Sequence, residues 1–213
     1  MPETNVGLQS GTTTLGLVCK DGVVMAAEKR ATAGTLIAHK TTRKVFKLDD
    51  NLAITTAGFV GDLQSLTRYI TAEVELYRLK RGIPMPVEAA ATLTANILAG
   101  RRFAPYLVQL VIGGVDSKGN HVYSLDLAGG SIPDNYVTTG SGSPYVYGVL
   151  EDQYREGMTA SEGTDLAIRA ITAAMKRDAA SGDGINVVRI TGEGFDEVSD
   201  EEIEKRAKKM NLT

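Results

Sequence analysis

The chain opens with short runs of β-branched and apolar residues. Thr12 to Lys20 (TTTLGLVCK) contains no proline and reads as a strand. Val23 to Arg30 (VVMAAEKR) follows Asp21-Gly22. An Asp-Gly pair between β-prone runs predicts a tight hairpin in which both turn residues take positive φ. Residues 45–48 and 52–57 predict two more short strands around the Asp49-Asp50-Asn51 turn. Beyond Gly58 and Gly61 the period changes. Leu63, Leu66, Ile70, Val74 and Tyr77 recur at helical spacing and form one helix face. Pro84 and Pro86 interrupt it, and Pro86 is placed as the first residue of a second helix running to Gly100.

The second half repeats the alternation of blocks. Residues 107–114 and 121–127 predict strands joined by Ser117-Lys118-Gly119-Asn120. Gly129-Gly130 breaks the second, and a strand near 135–139 follows. Pro144 opens a third helix through Tyr154, and Ser161 to Arg177 reads as a fourth, with Ala167, Ile168, Ile171 and Met175 among its apolar positions. Residues 185–191 predict a strand. Ser199 with Glu202 is a capping-box pattern that opens a charged C-terminal helix. Helix pairs set between antiparallel strand blocks predict a layered α+β domain rather than alternating βαβ units.

Composition narrows the chemistry. A chain of 213 residues fits one domain with a sizeable core. Its 43% hydrophobic and 23% charged residues exclude wholesale disorder. Twenty-three Lys+Arg against 26 Asp+Glu give a net charge of −3, which argues against nucleic acid as partner. The single cysteine, Cys19, excludes an internal disulfide and a cysteine zinc cluster, and reads as a small core residue. The two histidines, His39 and His121, read as loop or strand-end residues and argue against a multi-histidine metal site. No Gly-x-Ser-x-Gly elbow accompanies them, so a histidine-dependent hydrolase has little support. No apolar run approaches the ~20 residues that span a bilayer. Met1 to Gly11 lacks the basic flank and apolar centre of a secretory signal. The expectation is a cytoplasmic protein without metal, cofactor, nucleic acid or membrane partner.

Candidate chemistry is sparse by composition alone. Gly140-Ser141-Gly142-Ser143-Pro144 precedes a helix, where anions are attracted, but it lacks the Gly-Lys-Ser/Thr ending of a phosphate loop and reads as a tight turn with a helix cap. Thr12-Thr13-Thr14 behind Gly11 is unremarkable as strand. Glu28 ends the second strand and Lys44 opens a later one. Taken alone they read as a solvated surface pair. Ser141, Asp178 and Ser181 read as turn and helix-end residues, although an Asp near a helix C-terminus is electrostatically awkward.

The order of these stretches changes the picture. GTTTLG, TTAGFVGD, PYLVQLVIGGVD, TGSGSPYVYGVLE and KRDAASGDG occur in turn. In them the chain resembles the archaeal proteasome β subunits, of the threonine-protease branch of the N-terminal-nucleophile hydrolases. The resemblance covers the chain from Gly11 to the C-terminal helix. It implies a four-layer αββα sandwich of two antiparallel sheets flanked by helices. It implies that residues 1–11 are a propeptide removed by self-cleavage at Gly11–Thr12, and that 12–213 is the catalytic domain. Thr12 would be the nucleophile, Lys44 the cation beside it and Glu28 the partner of Lys44, where many relatives carry Asp. Gly58 would donate to the oxyanion, and Ser141, Asp178 and Ser181 would surround the Thr12 amine. Substrate would pair with backbone near Thr32, Gly58 and Val60, and the P1 pocket would draw on Ala31, Phe46, Thr56 and Val60. The implied partners are seven-membered β rings stacked back to back, α subunits, a regulatory ATPase ring and unfolded polypeptides. Two other readings stay open: a non-catalytic ring subunit of the same fold, and a small-molecule amidase of the N-terminal-nucleophile class.

Overall fold

Strands Thr14–Cys19 (β1) and Gly22–Glu28 (β2) are buried along almost their whole length. Their side chains nevertheless divide by the period of two that a strand imposes. Leu15, Leu17 and Cys19 of β1 join Val24 and Ala26 of β2 in one core, while Val23, Met25 and Ala27 enter another. A pair of strands buried on both faces has to lie inside a sandwich, with helices on one side and a second sheet on the other.

The computed structural model describes residues 11–212. Apart from Gly11, the expected propeptide lies outside the described residues. After β2 come Ala31–Ala33 (β3), Leu36–His39 (β4), Val45–Asp49 (β5) and Leu52–Gly58 (β6), then helices Val60–Arg81 (α1) and Val87–Gly100 (α2). Next come Val108–Asp116 (β7), Gly119–Leu125 (β8), Ser131–Asp134 (β9) and Tyr136–Thr139 (β10), then Ser143–Gln153 (α3) and Ala160–Met175 (α4). Ile185–Thr191 (β11), Gly194–Val198 (β12) and Asp200–Lys209 (α5) complete it.

Two five-stranded antiparallel sheets form, in the orders β10-β1-β2-β11-β12 and β5-β6-β7-β8-β9. Three cores fill the spaces between four layers. Residues of α3, α4 and α5, such as Leu150, Ile171 and Ile203, pack on one face of the first sheet. Leu66, Ile70 and Leu98 of α1 and α2 pack on the second sheet. Val23, Met25, Val111, Val122 and Val188 fill the space between the sheets. This is the αββα sandwich of the expectation.

Several local expectations are corrected. The first hairpin turns at Lys20-Asp21, because Cys19 pairs with Gly22. Neither turn residue has positive φ. Gly22 is needed instead because a Cβ there would collide with the Ile190 carbonyl of the neighbouring strand. Pro86 caps α2 from an extended conformation and is not its first helical residue. Ser199 caps α5, but its capping box is half made: Ser199 accepts from the Glu202 N–H, while the Glu202 carboxylate is taken by Arg189 and Arg206. The reciprocal box is Thr159 with Glu162, at the start of α4. Strands β3, β4, β9 and β12 were not in the pattern. β9 and β12 are sheet edges, where one flank needs no partner and residues such as Pro133 are tolerated. β3 and β4 are a short, largely exposed hairpin without an alternating apolar face.

Candidate active site

Thr12 sits just ahead of β1 and is 3% exposed. Its hydroxyl donates to the Gly11 carbonyl at 2.7 Å and accepts from the Lys44 ammonium at 3.2 Å. Gly11 is itself tightly enclosed. A Cβ at that position would overlap the Ala180 Cβ and press on the Ser141 hydroxyl at 3.0 Å. The residue before Thr12 therefore has to lack a side chain for the chain to pass between these two.

Glu28 and Lys44 are buried, at 0% and 5% exposure, so the surface-pair reading of these residues is overturned. They form an ion pair in the inner layer of the sandwich. Lys44 directs its ammonium at Glu28, at the Arg30 carbonyl and at Thr12, one acceptor for each of its protons. Glu28 accepts the N–H groups of Thr13 (3.3 Å), Arg30 (2.6 Å) and Gly182 (3.1 Å) as well. Burial pushes the Glu28 carboxyl up and the Lys44 ammonium down from their ordinary values, and each partner opposes the shift of the other. The dense hydrogen bonding is what allows two charges to stand in so dry a place.

Asp178 gathers two relays. The Thr12 N–H donates to the Ser141 hydroxyl at 3.2 Å, and Ser141 donates to Asp178 at 2.7 Å. Ser181 donates to the same carboxylate oxygen at 2.6 Å, and the Thr13 hydroxyl lies 2.6 Å from the Ser181 hydroxyl. Asp178 stands just beyond α4, and its N–H donates to the Ala174 carbonyl, which ties it to the helix end. Ser141 is held by the turn between β10 and α3, where Gly142 caps the helix without a side chain. That turn confirms the tight-turn reading of Gly140–Pro144.

Two hollows meet at this group. One of about 60 Å³ is lined by Thr12, Ala31, Phe46, Thr56 and Val60 together with Lys44 and Gly58. A wider cleft of about 560 Å³ runs past Gly11, Thr32, Gly58, Phe59, Leu107, Ser141 and Asp178. Gly58 borders both. Its φ of +134° is a conformation for glycine, and the Leu107 carbonyl occupies the place a Cβ would need. The residues expected around Thr12 are thus brought together.

The profile described as "Proteasome subunit" matches residues 8–190. The chain belongs to the proteasome subunit family. It is 54% identical over 202 residues to the proteasome subunit beta of Methanothermobacter thermautotrophicus, covering 94% of this chain and 96% of that protein. It is 52% identical over 209 residues to the proteasome subunit beta of Thermoplasma acidophilum, covering 98% and 99%. The proteasome subunit beta of Archaeoglobus profundus is 54% identical over 196 residues, covering 92% and 91%. Identity of this extent places the chain with the β subunits of the proteasome, a protease, and with proteins that assemble with other subunits. Among the described residues no helix is long and apolar enough to cross a membrane.

The geometry of this proteasome subunit adds residues that sequence reasoning missed. Thr13 reads as plain strand, yet its N–H and hydroxyl reach Glu28 and Ser181. Gly182 offers no side chain to read, yet its N–H holds Glu28. Leu107 and Phe59 line the wider cleft and Gln64 the small hollow. Backbone donors and linings of this kind leave no mark in residue type. The Glu28 carboxylate reaches Lys44 from the end of β2.

Proposed function

We propose that this chain is a threonine-type endopeptidase, made as a precursor and activated by cleavage between Gly11 and Thr12. The observation that carries this reading is the Thr12 hydroxyl, buried between the Gly11 carbonyl and the Lys44 ammonium. In activation, the Thr12 Oγ bonds to the Gly11 carbonyl carbon, the Gly11–Thr12 C–N bond breaks, and the hydroxyl proton passes to the nitrogen. An ester and a free α-amine result. Water then hydrolyses the ester, leaving a Gly11 carboxylate on the released segment and restoring the Thr12 hydroxyl.

The step creates the base. An amide nitrogen has no useful basicity, whereas an α-amino group titrates at ~7.7–8.0, close to working pH. The Thr12 amine then receives the hydroxyl proton, through a water, as Oγ attacks a substrate carbonyl. Lys44 stabilises the developing alkoxide. Ser141, tied to Asp178, turns its hydroxyl toward the amine and fixes its lone pair. The backbone N–H of Gly58 serves the oxyanion, a contribution of about 2.7–4 kcal/mol where one such donor has been removed in other enzymes. The leaving amine takes the proton, and water clears the acyl ester.

The cleft past Thr32 and Gly58, with Val60 in the adjoining hollow, suits an extended polypeptide paired through its main chain. The small hollow, walled by Ala31, Phe46, Thr56 and Val60, favours cleavage after hydrophobic residues. Assembly as two stacked seven-membered β rings, capped by α subunits and fed unfolded chains by an ATPase, confines this activity in a cytoplasmic chamber. N-terminal mass analysis beside a Thr12→Ala variant tests the reading. Wild type is expected to begin at Thr12, and the variant neither to process itself nor to cleave peptides. A Thr12→Ala particle that still hydrolyses peptides removes the mechanism.

A further inference from the structure

Arg30 touches both halves of the site without touching Thr12. Its backbone N–H donates to Glu28 at 2.6 Å, and its carbonyl accepts from the Lys44 ammonium. Its guanidinium turns the other way. Nε donates to Asp183 at 2.6 Å, and one terminal nitrogen donates to the Ala179 carbonyl at 2.9 Å. The segment so gripped, from Ala179 to Asp183, carries Ser181 and Gly182. Ser181 donates to Asp178, and Gly182 donates to Glu28.

The grip is tight and has a conformational consequence. The Arg30 and Asp183 side chains are 20% and 17% exposed, so their ion pair is more sheltered than the other arginine pairs of this fold that lie at the surface, such as Arg43 with Glu197. The guanidinium lies so close over Gly182 that a Cβ there would collide with it. Asp183 has a φ of 63°, in the left-handed region that is uncommon outside glycine and that Asp and Asn enter more readily than other residues. The Lys29 N–H, just past the end of β2, donates to the Gly182 and Gly184 carbonyls, which closes the loop against β2 from the other side.

The geometry points to Arg30 as a positioning residue for the hydrolysis at Thr12. Through its planar fork it fixes the 179–183 loop, and so sets Ser181 and Asp178 on the amine side in register with Glu28 and Lys44 on the hydroxyl side. A planar guanidinium holds two acceptors at fixed angles, which a lysine ammonium does not. Small displacements of groups around a nucleophile lower turnover rather than substrate binding, since they act on a geometry needed only in the transition state. This inference rests on the reading of Thr12 as nucleophile.

The test uses assembled particles of full-length chains carrying Arg30→Met, Arg30→Lys, Asp183→Asn or the double change Arg30→Met/Asp183→Asn. Lys118→Met, which breaks an exposed ion pair with Glu88, serves as control. Peptide hydrolysis is read as kcat and KM separately, after mass analysis has identified the processed chains. Arg30→Met is expected to lower kcat by about 10²-fold with KM within about twofold. Arg30→Lys is expected to recover little of the loss, and the double variant to be no worse than Arg30→Met. Unchanged kcat in Arg30→Met or Asp183→Asn overturns the inference, as does a rise in KM that accounts for the loss, or full rescue by lysine. If Arg30→Met does not assemble, Asp183→Asn decides alone, by a kcat loss or its absence. Hydrolysis by Thr12→Ala would sink the reading of the nucleophile. A dead Thr12→Ala beside normal Arg30 and Asp183 variants would sink only this inference.

Discussion

At the scale of the residue, the buried Glu28–Lys44 pair governs what substitutions do. Removing one member leaves the other charge uncompensated, a loss of about 3–5 kcal/mol in buried pairs. Lys44→Met is therefore expected to destabilise strongly and to do so with a particular pH dependence. Without Lys44, burial acts on Glu28 opposed only by its backbone N–H donors, and its carboxyl, which already lies above its ordinary value, rises further. A carboxyl raised in the folded state binds a proton that the unfolded chain has released, so its stabilising share is whole below the unfolded pKa of 4.5 and is lost as pH rises through the folded value. The stability gap between Lys44→Met and wild type should narrow as pH falls from about 7 to about 5, the direction in which protonation of Glu28 relieves the stranded charge. Thermal melts across that range check it, and a gap that widens on acidification contradicts it. Gly11→Ala is a second case. Its Cβ would overlap Ala180, so the variant should process at least tenfold more slowly than wild type, by roughly the factor that ~1.4 kcal/mol of misplacement carries. A time course of N-terminal mass reads this directly.

At the scale of the element, the two N-caps differ in a way that residue type hides. Ser199 with Glu202 and Thr159 with Glu162 share one spacing, but only the second pair bonds in both directions. Thr159→Ala is expected to cost about 1 kcal/mol or more, and Ser199→Ala less, as measured by denaturant midpoints. Equal losses would mean that the reciprocal carboxylate contributes nothing. The same comparison explains what could be read in advance. α1, α2 and α4 each carry several apolar residues at helical spacing, enough for the period to identify them. β9 and β12 carry few, because an edge strand is solvated on one flank and its side chains report its surroundings rather than its conformation. Glu197 of β12 bonds to Arg43 and Asn186, a polar role that no strand pattern marks.

At the scale of the whole molecule, the layers decide accessibility. Cys19 lies 3% exposed in the core between the first sheet and its helices, and burial, with Asp21 and Glu162 nearby, pushes its thiol up to about 12. The thiolate is the reactive form, so alkylation at neutral pH should be negligible in the folded protein and rapid in denaturant. Its rate in low denaturant should then follow global opening. Prompt labelling of the native protein would show that this core breathes locally. Phe103, Leu79 and Ile132, at 98%, 81% and 64% exposure, are large apolar groups that the layers leave on the surface of the chain.

The amino-acid sequence by itself determined the helices with a long apolar period and the β character of the opening. Each is local: a period or a propensity carries the information. Only the tertiary structure decided that Glu28 and Lys44 are buried, because a strand end looks polar in one dimension whether water or a second sheet faces it. It also decided that Thr12 meets Ser141, 129 residues away, and that Ser141 meets Asp178. Those contacts arise where β1 and the turns after β10 and α4 converge, and convergence is a property of stacked layers that no stretch of chain contains alone.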